Sequence, residues 1–288
     1  MSQPVPLPDE LLFADADKLR GKIVLITGAG GGIGKHSALV LAQHGAKLVI
    51  GDVNAETAKV TSEKIVKNGG TAISLHCDVT SWTDQVALFE LAIQTYGQAP
   101  QVVVPNAGIG ESFHLGSTRE EDGKPVKPNL ATIDINLTGA IYTAQLALYH
   151  WKKNKTSDVA LIFIGSMLSL SSLPLGILYS ASKHGILGLT QGLHQRFGDQ
   201  IRFSVIAPWF VETNILGTDM KKYFPGMTLV PIDRVAGAII AAATDSDPET
   251  NGSIYTLPDD GPVVRISKDG LTEGGYKYMN EWMARPRH

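Results

Sequence analysis

Tyr179 and Lys183 stand four residues apart in Tyr-Ser-Ala-Ser-Lys, and they carry the strongest chemical signal in the sequence. On a helix, positions i and i+4 share a face. A free phenol has a pKa of about 10 and is a poor base near neutrality, but a neighbouring ammonium favours the phenolate and lowers that value. Such a pair can take a proton from an alcohol or give one to a ketone oxygen. Tyr-x-x-x-Lys alone also describes a packed tyrosine followed by a surface lysine, so its weight depends on what stands around it. Ser166 lies at the end of an apolar run, where a hydroxyl would steady a substrate oxygen. Ser169, Ser171 and Ser172 are neighbours of the same type, and a polar loop is the plainer alternative. Asn136 interrupts the helical stretch Thr-Ile-Asp-Ile-Asn-Leu-Thr-Gly (132–139). An amide buried there must be satisfied, by holding a water, by kinking the helix or by an ordinary buried hydrogen bond.

A second constellation lies near the amino terminus. Thr27-Gly28-Ala29-Gly30-Gly31-Gly32-Ile33-Gly34 follows a short apolar run and opens a helical pattern. Glycines let the backbone turn tightly and approach a pyrophosphate, and a helix amino terminus offers free N–H groups to it. The spacing is G-x-x-x-G-x-G (Gly28, Gly32, Gly34) rather than G-x-G-x-x-G. Asp52 ends the next apolar run, 18 residues after Gly34, with Val53 beside it. A carboxylate there accepts hydrogen bonds from ribose hydroxyls and repels a 2′-phosphate; its alternative is a turn residue. No lysine or arginine stands between Gly28 and Gly34 or directly after Asp52, which favours NAD over NADP. Asp78 followed by Val79 closes a third run; Asp78 either meets an adenine amine or caps the following helix.

The elements that must position these groups alternate along the chain. Apolar runs at 22–27, 47–52, 71–79, 101–108, 158–166, 201–208 and 253–257 read as strands, with helical patterns between them at 36–45, 55–70, 84–97, 130–153, 179–198 and 234–245. Continuous apolar strands alternating with helices predict a parallel sheet covered on both faces. The expectation is therefore an α/β fold: one doubly wound (Rossmann) domain over 21–258, with a seven-stranded parallel sheet and helices on both faces. Residues 1–20 read as an irregular leader, 209–230 as a loop lidding the substrate pocket, and 259–288 as an extension whose aromatics dock on the body or on a second subunit.

Composition narrows the function. A net charge of −3 gives no reason to expect a nucleic-acid or anionic-membrane partner. The single cysteine, Cys77, excludes a disulfide framework or a multi-cysteine zinc site, and no metal site is expected. No apolar run is long enough for a membrane helix, and the Pro-rich, acidic start is unlike a signal peptide. A cytoplasmic protein is the expectation.

Taken together, these residues resemble the short-chain dehydrogenase/reductase family over about Lys22–Leu257. The glycine loop, Asp78-Val79, Asn106-Ala107-Gly108, Asn136, Ser166, Tyr179 and Lys183 occur in family order, with 13 residues from Ser166 to Tyr179. The resemblance implies that Tyr179 is the acid/base, that Ser166 polarises the substrate oxygen, and that Lys183 lowers the tyrosine pKa and binds the nicotinamide ribose. It implies that Asn136 positions a water and that Asn106-Ala107-Gly108 supports the sheet beside the cofactor. Val211 and Thr213, after Pro208, would lie near the carboxamide. It also implies metal-free hydride transfer and a homodimer or homotetramer. Two departures stand out: Pro105 replaces the first asparagine of N-N-A-G, and Trp209 replaces the glycine after Pro208. In both, the chain is similar to a fungal branch that resembles NAD-dependent 15-hydroxyprostaglandin dehydrogenase, many of whose members act on terpenoid or other secondary metabolites.

Met167, Leu168, Trp209, Phe210, Leu216 and Met220 are bulky and apolar, and form the expected substrate pocket. As a set they favour a hydrophobic, ring-shaped alcohol or ketone; singly, each reads as core packing. The expected activity is hydride transfer between NAD(H) and a secondary alcohol. The competing readings are a catalytically idle NAD-binding sensor or scaffold, and an epimerase or dehydratase that uses bound NAD without net turnover.

Overall fold

The structure is a computed structural model that describes residues 4–211, 213, 228–271, 278, 281 and 282. Its main sheet is built first from five-to-eight-residue apolar segments: β2 (Ile23–Thr27), β3 (Lys47–Asp52), β4 (Thr71–His76), β6 (Val159–Ile164) and β7 (Ile201–Pro208). Shorter strands β5 (Val102–Val104) and β8 (Ile254–Leu257) complete its parallel part. Every residue of β2, β5 and β6 is buried, as a strand covered on both faces requires.

The strands alternate with helices α1 (Gly32–Gln43), α2 (Ala55–Lys67), α3 (Trp82–Tyr96), α4 (Gly139–Asn154), α5 (Ile177–Phe197) and α6 (Ile232–Thr244). Local chemistry sets their ends. Asn54 Oδ1 accepts from the N–H groups of Glu56 and Thr57 at the start of α2, and Ser81 Oγ accepts from Asp84 N at the start of α3. Gly97, at φ 78°, ends α3 in the left-handed region. α1 starts differently: Gly31 precedes it and no side chain caps it.

With β1 (Val5–Leu7) and β9 (Val263–Ile266) at one edge, strand order is β1-β9-β8-β7-β6-β5-β2-β3-β4. From β2 the chain moves outward through β3 and β4, then returns to the other side of β2 and continues through β5 to β8. The direction reverses between β2 and β5, the switch point outside which open α/β sheets bind ligands.

The expected fold is correct, and the expected seven strands are the seven parallel ones. The sheet nevertheless has nine strands. β9 (Val263–Ile266) adds antiparallel to β8, and β1 (Val5–Leu7) adds antiparallel to β9. Both escape a periodicity search because they are only three and four residues long and lie in segments without a repeating pattern. After β1, 3₁₀ turns Asp9–Phe13 and Ala16–Leu19 carry Leu12, Ala16 and Leu19 into the core. Among the described residues no helix is long and apolar enough to cross a membrane, and no cluster of His, Cys, Asp or Glu is arranged to hold a metal.

Candidate active site

A cleft of about 1340 Å³ opens over the carboxyl ends of the parallel strands. One wall is the turn between β2 and α1. Gly28 sits at φ 66°, and a Cβ there would lie 2.7 Å from Ala107 Cα. A Cβ on Gly30 would collide with Thr57 Oγ1, and one on Gly34 with Asn106 Nδ2 and the Gly28 carbonyl. Gly32 is also in the left-handed region, at φ 49°, facing Thr213. The glycines therefore leave room for neighbouring backbone and side chains to come close, and the uncapped start of α1 faces the same space. Gly28, Gly30, Gly32 and Ile33 line the cleft. Gly34 does not; it packs α1 against the turn.

Asn106 fastens this turn to the end of β5. Its Nδ2 donates to the carbonyls of Thr27 (2.8 Å) and Gly28 (3.0 Å), and Thr27 Oγ1 accepts from the N–H groups of Asn106 and Ala107. Asn106, Ala107 and Gly108 all line the cleft. Asp52 lies at its rim with Val53. Asp52 Oδ2 accepts from Gly30 N at 2.8 Å and Oδ1 from Asn54 N at 2.9 Å, which fixes the carboxylate while leaving lone pairs on both oxygens. Asp78 and Val79 also line the cleft. Asp78 Oδ1 accepts from Thr80 N and Thr80 Oγ1, while Ser81, not Asp78, caps α3.

The other wall is catalytic in character. Ser166, Tyr179 and Lys183 line the same cleft as the glycine turn. Ser166 follows β6 and accepts from Leu168 N at 3.1 Å; Ser169 Oγ accepts in return from Ser166 N, which pins the short turn Met167–Ser169. Lys183 is 5% exposed, and its ammonium lies 5.6 Å from the centre of the Tyr179 ring. Its Nζ donates to the Ile164 carbonyl at 2.8 Å. An ammonium has three hydrogens, and Ile164 O is its one hydrogen-bond acceptor among the described residues. Hydroxyls of a ribose would match the remainder, so this end of the cleft fits a dinucleotide as the glycine turn does.

The pair is buried, and burial acts on both groups. Burial pushes the Tyr179 phenol above its ordinary pKa of 10, with a hydrogen bond to Ser166 offsetting this in part. Burial likewise pushes the Lys183 amine down to about 8. In the protein alone, loss of water therefore biases each group toward its neutral form.

Asn136 is buried behind the cleft, not in its lining. It sits in a π-helical turn, Asp134–Thr138, that leads into α4; such turns recur at functional sites. Its Oδ1 accepts from Ile109 N (2.8 Å), and its Nδ2 donates to Ile109 O (3.0 Å) and Ser182 Oγ (3.2 Å). The helix is thus altered at Asn136, and the amide is satisfied by protein partners.

Of the expected substrate residues, Leu168, Trp209 and Phe210 line the cleft. Met167 is a correction: it is fully buried and belongs to the core, because the tight turn sends successive side chains to opposite sides. Leu216 and Met220 lie outside the described residues. Pro208, Val211 and Thr213 line the cleft, and Val211 bridges Val230, closing the base of the 209–230 loop. Trp209 keeps ordinary backbone geometry, donating its N–H to Leu257 O. Its ring meets Phe210 edge-on at 4.6 Å and Trp282 at 5.2 Å, so Trp282 docks on the body beside the cleft.

Sequence reasoning missed several lining residues: Thr138 and Tyr142 on one helical face, Leu173 and Leu175 before α5, and Glu111. Glu111 lies in the loop after β5, and its two oxygens accept from Leu178 N (3.0 Å) and Tyr179 N (2.8 Å). No periodicity marks it, since the contact joins segments 67 and 68 residues apart.

Comparison with known proteins agrees with this geometry. Residues 22–223 match the short chain dehydrogenase family model. The chain is 34% identical over 282 residues to the short-chain dehydrogenase/reductase ascJ of Acremonium egyptiacum, covering 94% of this chain and 85% of that one. It is 29% identical over 250 residues to cyclohexanol dehydrogenase of Acinetobacter sp. (strain SE19), covering 84% of this chain and 95% of that one. Its fold is similar to that of a 3-ketoacyl-(acyl-carrier-protein) reductase from Brucella melitensis, solved in complex with NADH, with a TM-score of 0.72 and 25% identity. That match covers 83% of this chain and 97% of the other.

Proposed function

This chain belongs to the short chain dehydrogenase family, and from that premise we propose that it moves a hydride between NAD(H) and a secondary alcohol or ketone on a hydrophobic ring. One observation carries the reading: Ser166, Tyr179 and Lys183 face the same cleft as the glycine turn and Asp52. Gly28, Gly30 and Gly32, with the start of α1, would hold the pyrophosphate, and Asp52 the adenosine ribose. Lys183, Asn106, Pro208, Val211 and Thr213 would hold the nicotinamide end. The nicotinamide, when bound, accepts or supplies the hydride. Tyr179 takes the alcohol proton in oxidation and returns it to the carbonyl oxygen in reduction. Ser166 donates a hydrogen bond to that oxygen, and Lys183 stabilises the phenolate by its charge.

NAD is favoured by the fixed Asp52 carboxylate, which stands where a 2′-phosphate would come close. A hydrophobic ring is favoured by Leu168, Leu173, Leu175, Trp209 and Phe210, and a cyclic alcohol is what one relative is named for. A cytoplasmic homodimer or homotetramer, without nucleic-acid or membrane partners, completes the proposal and rests on composition and family resemblance.

The test is turnover of cyclic alcohols and ketones with NAD(H) and NADP(H), followed by reduced-nicotinamide absorbance. Tyr179→Phe is expected to bind cofactor as the wild type does and to lose roughly 10²–10⁴-fold in kcat. Normal turnover by that variant, or a wild type inert toward the whole panel, would overturn the reading.

A further inference from the structure

We propose that Glu111 is a positioning residue for the reaction, holding the Tyr179 backbone to the loop that walls the substrate end of the cleft. The inference rests on the reading of Tyr179 as the acid/base. A helix begins with N–H groups that lack partners within it, and a side chain at the N-cap usually supplies one. α5 has Gly176 there and no side-chain cap. Its first-turn donors, Leu178 N and Tyr179 N, are instead taken by the two oxygens of Glu111. A carboxylate at this end also suits the helix dipole. With both oxygens engaged on adjacent peptides, it fixes orientation as well as distance.

The other side of Tyr179 is tied to the same loop. Its carbonyl accepts from Ser182 Oγ at 2.7 Å. Ser182 Oγ accepts from Asn136 Nδ2, and Asn136 grips both polar groups of the Ile109 peptide unit. Ile109 stands two residues before Glu111, so the bonds form a closed ring: Glu111, Tyr179, Ser182, Asn136, Ile109 and back to Glu111. A plain stability role would be met by a capping residue at position 176. The actual arrangement fixes one wall of the cleft against the other. Glu111, Ile109 and Tyr179 all line the cleft, so the segment beside the substrate also sets the place of the phenol. Misplacing a reacting group by about 1 Å costs on the order of 100-fold in rate.

The experiment compares wild type, Glu111→Ala, Glu111→Gln, Tyr179→Phe, and Glu111→Ala combined with Gly176→Ser. A Cβ at position 176 meets only Tyr179 Cβ, at 3.9 Å, so the serine has room to cap α5 locally. With cyclohexanol and NAD as probes, Glu111→Ala is expected to lower kcat by about 10- to 100-fold. KM and the cofactor dissociation constant should stay within about threefold, and the pH profile should not shift. Glu111→Gln, which keeps one oxygen acceptor, should recover most of the rate. Adding Gly176→Ser should restore thermal stability without restoring kcat. The inference fails if Glu111→Ala keeps kcat within about twofold, or if Gly176→Ser restores rate and stability together. An inactive Tyr179→Phe beside an unimpaired Glu111→Ala sinks this inference alone; an active Tyr179→Phe sinks the acid/base reading beneath it.

Discussion

Replacing Lys183 by methionine is expected to make the cofactor-free protein more stable near neutral pH while abolishing its chemistry. The amine is buried, and burial pushes its pKa from 10.5 to about 8. At about 1.4 kcal/mol for each tenfold change in proton affinity, keeping it charged costs about 3 kcal/mol. Against this stands the Ile164 carbonyl, which accepts from Nζ and loses that donor in the variant, at a cost of about 1–3 kcal/mol. Methionine matches the length of the stem, so the net gain near pH 7 is about 1 kcal/mol. The sharper prediction is a slope. Because the folded-state pKa is lowered, the unfolded chain holds more protons between about pH 8 and 10.5, and wild-type stability must rise with pH through that window. Working the linkage through, the wild type gains about 1 kcal/mol on the variant between pH 7 and pH 9. Burial also raises the Cys77 thiol to about 12, which lowers stability above its ordinary value, but it does so in both proteins and cancels in the difference. Urea denaturation of both proteins, at the two pH values and equal protein concentration, measures this. A difference that stays flat, or that widens in favour of methionine as pH rises, would refute the reasoning.

Three further substitutions test the cofactor wall. Asp52→Ser keeps an acceptor for Gly30 N but removes the charge; the ratio of kcat/KM for NAD over NADP should fall roughly 10- to 100-fold, and an unchanged ratio in steady-state assays would contradict the role of the carboxylate. Gly34→Ala would drive a Cβ into both the Gly28 carbonyl and Asn106 Nδ2. It should cost about 1–3 kcal/mol in denaturation and weaken cofactor binding, whereas Gly31→Ala, whose Cβ meets nothing within 4 Å, should stay within about 0.5 kcal/mol.

Much of the fold was legible because its parallel strands are buried on both faces and read as continuous apolar runs between helical patterns. β2, with five buried residues in a row, announces itself. β1 and β9 do not, because a three- or four-residue strand has too few positions to show a period, and their pairing depends on each other and on β8. Tyr179, Lys183 and the glycine turn were legible because their chemistry is local: one helical face in the first case, one turn in the second. Glu111 was not, because what defines it is a contact between two loops far apart in sequence. Met167 shows the opposite failure, since its type and place suit a pocket wall while the turn sends it into the core.

Tyr179 and Lys183 also show what residue types leave out. Counting charges predicts that an ammonium beside a phenol lowers the phenol pKa. Counting water predicts the reverse for both groups, since burial penalises phenolate and ammonium alike. In the bare protein burial raises the phenol and lowers the amine. The pair is therefore held ready at a cost, and its stability contribution belongs to the protein with its cleft filled. Among the described residues Lys183 has one acceptor for three hydrogens, so any ligand that supplies oxygen acceptors there offsets the desolvation that lowers the amine. A raised amine pKa keeps the charge that the phenolate needs. The residue that destabilises the empty cleft is thus the one through which cofactor binding and proton transfer are coupled, which is why its removal should separate stability from activity.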